Sequence, residues 1–277
     1  MLSKLALLKR EVANVVRVCG TATARQFASH CVAAAPTIAR QGTLQAADAR
    51  MGGSVDVSYR GAEIRMPVGE ADRTNMVEND SPMFAAIREI FGRDVYLRGF
   101  APFGPVRTML DLGANRGVVS LMAAKALGAE WVAGVEPLSA YRPVAAVLAE
   151  ANDLTAAQRH RIEAFVGAED TEDSVTVETI LAQHGVERLD LLKVDIEGAE
   201  NAVFLDGPTG FLARTERIVC ELHPDLGSKN EAILDLLRQA GFAVAVTDPV
   251  GRPCAPENAE YAYAARDAGA LTGARLP

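Results

Sequence analysis

The stretch Thr108-Met109-Leu110-Asp111-Leu112-Gly113-Ala114-Asn115-Arg116-Gly117 is a short apolar strand that runs into a turn bracketed by two glycines. The residues from Gly117 to Leu127 suit a helix, which Gly128 ends. Glycine at such a turn lets the backbone take positive φ and pass close to a bound molecule, and the free N–H groups at the helix start face anionic or polar atoms. The alternation continues downstream. Strands are expected at Val106–Leu112, Trp131–Val135, Ile162–Val166, Leu189–Val194, Ile218–Leu222, Phe242–Thr247 and Glu260–Ala265. Helices are expected over 139–150, with Ser139 as N-cap, over Val177–His184, and over Ala232–Ala240 behind a Ser228/Glu231 capping box. Leu189–Val194 is apolar almost throughout, as a strand covered on both faces requires. Strands alternating with helices specify a doubly wound, Rossmann-like α/β fold with a mostly parallel seven-stranded sheet, and its ligand belongs above the carboxyl ends of the strands.

Upstream of this pattern the chain has a different character. Residues 1–65 hold nine Lys/Arg against four Asp/Glu, whereas the whole chain of 277 residues carries a formal charge of −8. An acidic balance without a basic stripe argues against a nucleic-acid partner. Leu2, Leu5, Leu8, Val12, Val15 and Val16 recur at helical spacing, so residues 1–50 read as a basic, Ala-rich helical annex. That helix is a candidate homodimer contact; a transit peptide is the alternative for so acid-poor a segment. Residues 51–105 are expected to hold a small hairpin about Arg60-Gly61 and a helix over 82–92, residues 106–268 the core domain, and 269–277 a tail. No apolar run is long enough to span a bilayer. Cys19, Cys31, Cys220 and Cys254 are scattered without C-x-x-C spacing and read as buried thiols of a reducing compartment, so the expected location is cytoplasmic.

The turn at 111–117 decides between two cofactor classes. A dinucleotide fingerprint is G-x-G-x-x-G. Here Ala114 and Asn115 stand where the second glycine would admit a pyrophosphate, which disfavours an NAD-linked oxidoreductase. Glu136, 25 residues beyond Asp111 at the end of the next strand, is placed to grip a ribose diol. The segment Leu110–Gly117 resembles the first motif of class I S-adenosylmethionine-dependent methyltransferases, and specifically of the FkbM family. Asp190-Leu191-Leu192-Lys193-Val194-Asp195-Ile196-Glu197-Gly198-Ala199-Glu200 is similar to that family's D-L-L-K-x-D-x-E-G-A-E block, and Glu221-Leu222-His223 to its E-x-H strand end. The segment between Ala168 and Thr176 is shorter than in many relatives. The resemblance implies the class I methyltransferase fold and methyl transfer to a hydroxyl of a sugar, glycolipid, polyketide or similar small molecule. A cofactor-binding fold without catalysis, acting as an assembly partner, is the non-enzymatic alternative.

On that reading Asp111, Gly113, Ala114, Asn115 and Gly117 form the S-adenosylmethionine loop, Glu136 holds the ribose, and the strand end at Val166, Gly167 and Ala168 faces the adenine. An aliphatic hydroxyl needs help to lose its proton. His223 is the expected base because its ordinary pKa lies near neutrality, with Asp195 orienting the acceptor or the cofactor and Glu197 beside it. The bland readings are a strand-end cap for His223 and a helix N-terminal acid for Glu197. Asp195, Glu197, Glu221 and His223 are the available set for a divalent metal, which the spacing alone does not require. Asn152 reads as a helix C-cap, and Lys193, inside an apolar strand, as a partner for a nearby carboxylate.

Overall fold

A computed structural model describes residues 4–102, 104 and 106–272. Leu2 and the tail beyond Thr272 lie outside the described residues. The chain divides into two compact units, one of residues 1–94, 116–126 and 140–154, the other of residues 95–115, 127–139 and 155–277.

In the first unit the leading helix runs from Lys4 to Ala33 and kinks at Gly20, whose φ is 78°. The expected hairpin is present as β1 (Val55–Tyr59) and β2 (Ala62–Met66) in antiparallel register, with Tyr59 opposite Ala62. Arg60 and Gly61 both have positive φ, the combination that matches a two-residue turn to the twist of its strands. The helix expected over 82–92 is one α-turn, Met83–Ala86, followed by a π-helical stretch, Ile87–Gly92. Asn152 does more than cap: its side chain accepts from the Arg65 N–H and donates to the Arg65 carbonyl, at 2.9 and 2.8 Å. The helix Val118–Ala126 begins one residue later than expected. Ser139 opens a short 3₁₀ turn, while the α-helix Arg142–Ala151 has Tyr141 as its N-cap residue and no side-chain cap.

The second unit carries the sheet. Its strands are β3 (Thr108–Leu112), β4 (Trp131–Val135), β5 (His160–Ile162), β8 (Leu191–Val194), β9 (Arg217–Glu221), β10 (Ala243–Thr247) and β11 (Tyr261–Ala265). A separate parallel pair, β6 (Phe165–Val166) and β7 (Ser174–Val175), lies outside it. The main sheet has the order β10-β11-β9-β8-β3-β4-β5. The run from β9 to β5 is parallel, and β11 is antiparallel to both β9 and β10. The mostly parallel seven-stranded sheet read from the sequence is therefore present. The third strand differs from expectation. It leaves the main sheet after Ile162, and Phe165–Val166 pairs instead with Ser174–Val175. The Ser228/Glu231 capping box does not form, because the helix Asn230–Gln239 starts after Lys229 and the buried Ser228 hydroxyl has no hydrogen-bond partner.

All four residues of β8 are buried, and Leu192 sits fully enclosed among Leu110, Val194, Ile218, Ile180 and Phe204 in one apolar cluster. Truncating a side chain so placed removes transfer energy and leaves a cavity. Leu192→Ala should cost about 2–5 kcal/mol in urea unfolding followed by circular dichroism, and a cost under about 1 kcal/mol would show that the cluster closes over the gap.

Candidate active site

The parallel strand ends are tied across the sheet, and this fixes where side chains can emerge. The Gly113 and Ala114 N–H groups both donate to the Val135 carbonyl at 2.9 Å, the Asp195 N–H to Leu112, and the Glu136 N–H to Ile162. Gly113 has a φ of 72°, and a Cβ there would overlap the Asp195 carbonyl. Glycine is thus required twice over, for its backbone conformation and for the close approach of the β3 and β8 ends. Asn115 also has positive φ, and its carbonyl accepts from the Arg161 guanidinium at 3.0 Å.

These ends open on a cavity of about 460 Å³, lined by Gly113, Asn115 and Glu136, by Ala164 to Val166, and by Asp195 to Glu197, among others. The Glu136 carboxylate is fixed by the N–H groups of Asn115 and Leu138, at 2.9 and 3.0 Å. Of the expected cofactor residues, Gly113, Asn115 and Glu136 line the cavity, whereas Asp111, Ala114, Gly117, Gly167 and Ala168 are not among its lining residues. The reasons are local. Asp111 is fully buried, with its carboxylate 3.2 Å from the Lys193 ammonium. Ala114 is buried too. Gly117 has positive φ, and a Cβ there would face Ala145. Gly167 lies against Ser174 and Ala168 against Gly207, and the cavity wall on that side is formed by Ala164–Val166.

Lys193 is the residue on which this end of the sheet turns. It is buried, donates to the Leu112 and Gly113 carbonyls at 3.1 and 2.6 Å, and lies 3.4 Å from Asp195. Burial works against its charge, but the carboxylates of Asp111 and Asp195 outweigh that and raise its pKa. The sequence reading paired it with a carboxylate; it has two, and it also pins the glycine loop. Tyr96, to which the sequence assigned no role, donates to Asp195 Oδ2 at 2.8 Å and lies 3.4 Å from Glu221 Oε2. Nothing in its surroundings, Asp94-Val95-Tyr96-Leu97, marks it as functional.

Asp195, Glu197 and His223 come together. His223 Nε2 is 3.8 Å from Asp195 Oδ1 and 3.7 Å from Glu197 Oε2. Glu197 has positive φ and is followed by Gly198, at φ 97°, where a Cβ would meet Leu226 at 2.8 Å. His223 Nδ1 meets the fully buried Glu200 Oε1 at 2.9 Å. Glu200 closes the very motif that carried the resemblance, yet it was given no task there. Its hydrogen bond is the main reason the His223 pKa rises from near 6.5 to about 9; burial opposes the rise, and the charges of Glu200, Asp195 and Glu221 add to it. At neutral pH the imidazole therefore carries its proton. The ground for expecting His223 to be the acceptor, an ordinary pKa, does not hold.

The strand order, with a cleft at the strand ends, is that of an α/β protein of the class I methyltransferase type. Residues 142–244 match the family described as Methyltransferase FkbM domain, a segment that includes Asp195, Glu197, Glu200 and His223. A 74-residue segment is 35% identical to AMB antimetabolite synthetase AmbE of Pseudomonas aeruginosa, covering 25% of this chain and 4% of that protein. Among solved structures, Methyltransferase FkbM from Methylobacillus flagellatus KT is 17% identical with a TM-score of 0.43, over 65% of this chain and 53% of that one. The O-methyltransferase from Bacillus cereus in complex with SAH is 13% identical with a TM-score of 0.37, over 70% of this chain and 86% of that one. The chain thus spans about half of the solved FkbM structure and a small part of the synthetase.

Two outcomes follow from this geometry. In chelator-treated protein the His223 ring, followed by NMR, should titrate near pH 9, and Glu200→Gln should bring the midpoint back towards 6.5. A wild-type midpoint already near 6.5 would mean that Glu200 does not hold the imidazole. The linkage sign gives a second readout. A pKa raised on folding stabilises the protein fully below about 6.5, and that contribution is lost as pH rises through about 9, so Glu200→Gln should flatten this part of the stability profile.

Proposed function

We propose that the protein transfers a methyl group from S-adenosylmethionine to a hydroxyl of a sugar, glycolipid, polyketide or similar small molecule. The observation that carries this reading is that His223 approaches Asp195 and Glu197, two residues lining a cavity whose lining also includes Gly113 and Glu136. The cavity volume lies within the range of small-ligand sites, roughly 300–1,000 Å³. The donor set also suits the cofactor: a fixed carboxylate, Glu136, for a diol, a glycine turn for the amino-acid end, and the apolar Phe165 and Val166 for a flat base.

When bound, S-adenosylmethionine supplies an electrophilic methyl group on a sulfonium. The protein's task is then to hold the attacking oxygen in line at about 3–3.5 Å, a contribution of roughly 7–11 kcal/mol when the geometry is right. Asp195 is suited to receive the hydroxyl proton. Its Oδ2 is occupied by Tyr96 and Lys193, which leaves Oδ1 towards the cavity rim. Glu197 and His223 flank that oxygen and orient the acceptor. With the cofactor bound, Asp195 would take the proton given up by the acceptor hydroxyl, while Glu197 and His223 would hold that hydroxyl in place.

Two experiments bear on this reading. In a thermal-shift titration, S-adenosylmethionine or S-adenosylhomocysteine at about 100 times its Kd should add about 2.7 kcal/mol, and NAD should add nothing. Stabilisation by NAD alone would point to the oxidoreductase. Stabilisation by neither would return the fold to an assembly role. Asp195→Asn should lower kcat by about 10²–10⁴-fold while leaving cofactor affinity within a few fold; unimpaired turnover would remove Asp195 from the chemistry.

A further inference from the structure

Three ring side chains gather at the β5 edge of the main sheet, and none of them lines the cleft. The strand register sets His160 opposite Ala133, and Trp131 lies two residues before Ala133, so Trp131 and His160 share one face of the sheet. The helix Val177–Gln183 ends beside them, with His184 as its C-cap residue and the His184 N–H donating to the Ile180 carbonyl at 3.2 Å. The ring centres of His160 and His184 are 4.8 Å apart with their planes at 58°, and Trp131 lies 6.0 and 5.4 Å from them. We infer that His160 and His184 form a binding site for a divalent transition-metal ion of the Zn²⁺ and Cu²⁺ class. The inference does not rest on methyl transfer.

The ring separation suits a shared ion. A histidine nitrogen binds Zn²⁺ at about 2.0–2.1 Å, which places each ring centre about 3.2 Å from the ion. Two rings on adjacent tetrahedral or square positions then have centres about 4.5–5.2 Å apart. The observed 4.8 Å lies inside this interval. Rings in plain contact span about 4.5–7 Å, so the distance would also suit packing, and the polar surroundings carry the choice. Among the described residues neither imidazole has a hydrogen-bond or ion-pair partner, whereas the His223 ring is held by Glu200. Two polar rings with their nitrogens uncommitted face each other across a gap that one ion would close.

The site is accessible and braced. Both histidines are half-buried, and Trp131, which packs against the apolar core, touches each ring. Burial and the neighbouring His184 lower the His160 pKa, so at neutral pH this ring is in the unprotonated form that a metal requires. The ligand type selects the ion. Imidazole without carboxylate suits Zn²⁺ and Cu²⁺, whereas Mg²⁺ and Ca²⁺ take oxygen. Among the described residues no carboxylate or thiol completes a set of three here, so the remaining positions go to water or to a further molecule. A bound ion would fasten the edge strand β5 to the end of the helix Val177–Gln183.

Trp131 is the only tryptophan of the chain, so its fluorescence reports on this corner of the sheet. The full chain, after chelator treatment, is titrated with Cu²⁺ while that fluorescence is followed. Quenching that saturates below millimolar Cu²⁺ is expected, and Zn²⁺, which does not quench, should displace Cu²⁺ and restore the signal. His160→Gln, in a strand, and His184→Gln, at a helix end, should each weaken binding by about 10–100-fold, since losing a ligand costs at least as much as losing a ligand's orienting partner. His223→Gln should leave the quenching unchanged. The inference is overturned if quenching does not saturate below millimolar Cu²⁺ or if Zn²⁺ fails to reverse it. It is equally overturned if either histidine variant, shown to be folded by circular dichroism, binds as wild type does, or if His223→Gln removes the quenching. None of these readouts involves methyl transfer, so failure here leaves the proposed activity standing, and failure of that activity leaves this site standing.

Discussion

A lysine buried at the heart of a sheet is a costly choice unless its charge is answered on every side, and here it is. Lys193 holds Asp111 on the neighbouring strand, Asp195 two residues along its own, and the carbonyls of Leu112 and Gly113 beyond them. Removing one partner of such an arrangement would strand the others without solvent, typically at several kcal/mol. The rest of the site depends on this knot. It sets the distance between the glycine loop and the end of β8, and it occupies the Asp195 oxygen that would otherwise be free to turn away from His223. One ammonium group therefore links the part of the cleft suited to a cofactor with the part suited to an acceptor.

The outer layer of the cleft repeats that logic with other groups. Glu136 is held by two backbone N–H donors and His223 by a buried glutamate. Side chains fixed in this way need little reorganisation when a ligand arrives, and charges already in position act more strongly than charges that must move into place. Glu197 is the exception, exposed on a left-handed backbone turn. It is the one member of the cluster with room to adapt.

Sequence legibility followed physical range. The strand, turn and helix read over 106–127 and the apolar strand read over 189–194 are local patterns, and each is present within two residues of its expected bounds. The sheet then follows from the rules of parallel connection. Residues that depend on distant partners were less legible. Asp111 looked like a loop ligand because its neighbour in space, Lys193, is 82 residues away in the chain. Tyr96 carries no motif, and it reaches Asp195 only because the fold brings a stretch ahead of β3 to that strand end. His223 stands out in the sequence, but its raised pKa does not. That depends on Glu200, a residue visible in the motif whose bearing on the ring no spacing reveals. The split of the third strand was missed for a similar reason, since Phe165 and Val166 continue an apolar pattern while their hydrogen bonds go to Ser174 and Val175.

That split makes the two walls of the cleft mechanically unlike. The carboxylate wall is anchored in a seven-stranded sheet, whereas the wall bearing Phe165 and Val166 is a ribbon of two residue pairs, and its Phe165 ring is largely exposed. Short, solvent-flanked pairings open at far lower free energy than core strands. A molecule entering the cleft would thus meet one rigid jaw and one soft one. Its arrival and departure would then depend on how readily the ribbon opens, whereas Asp195 stays anchored at the sheet.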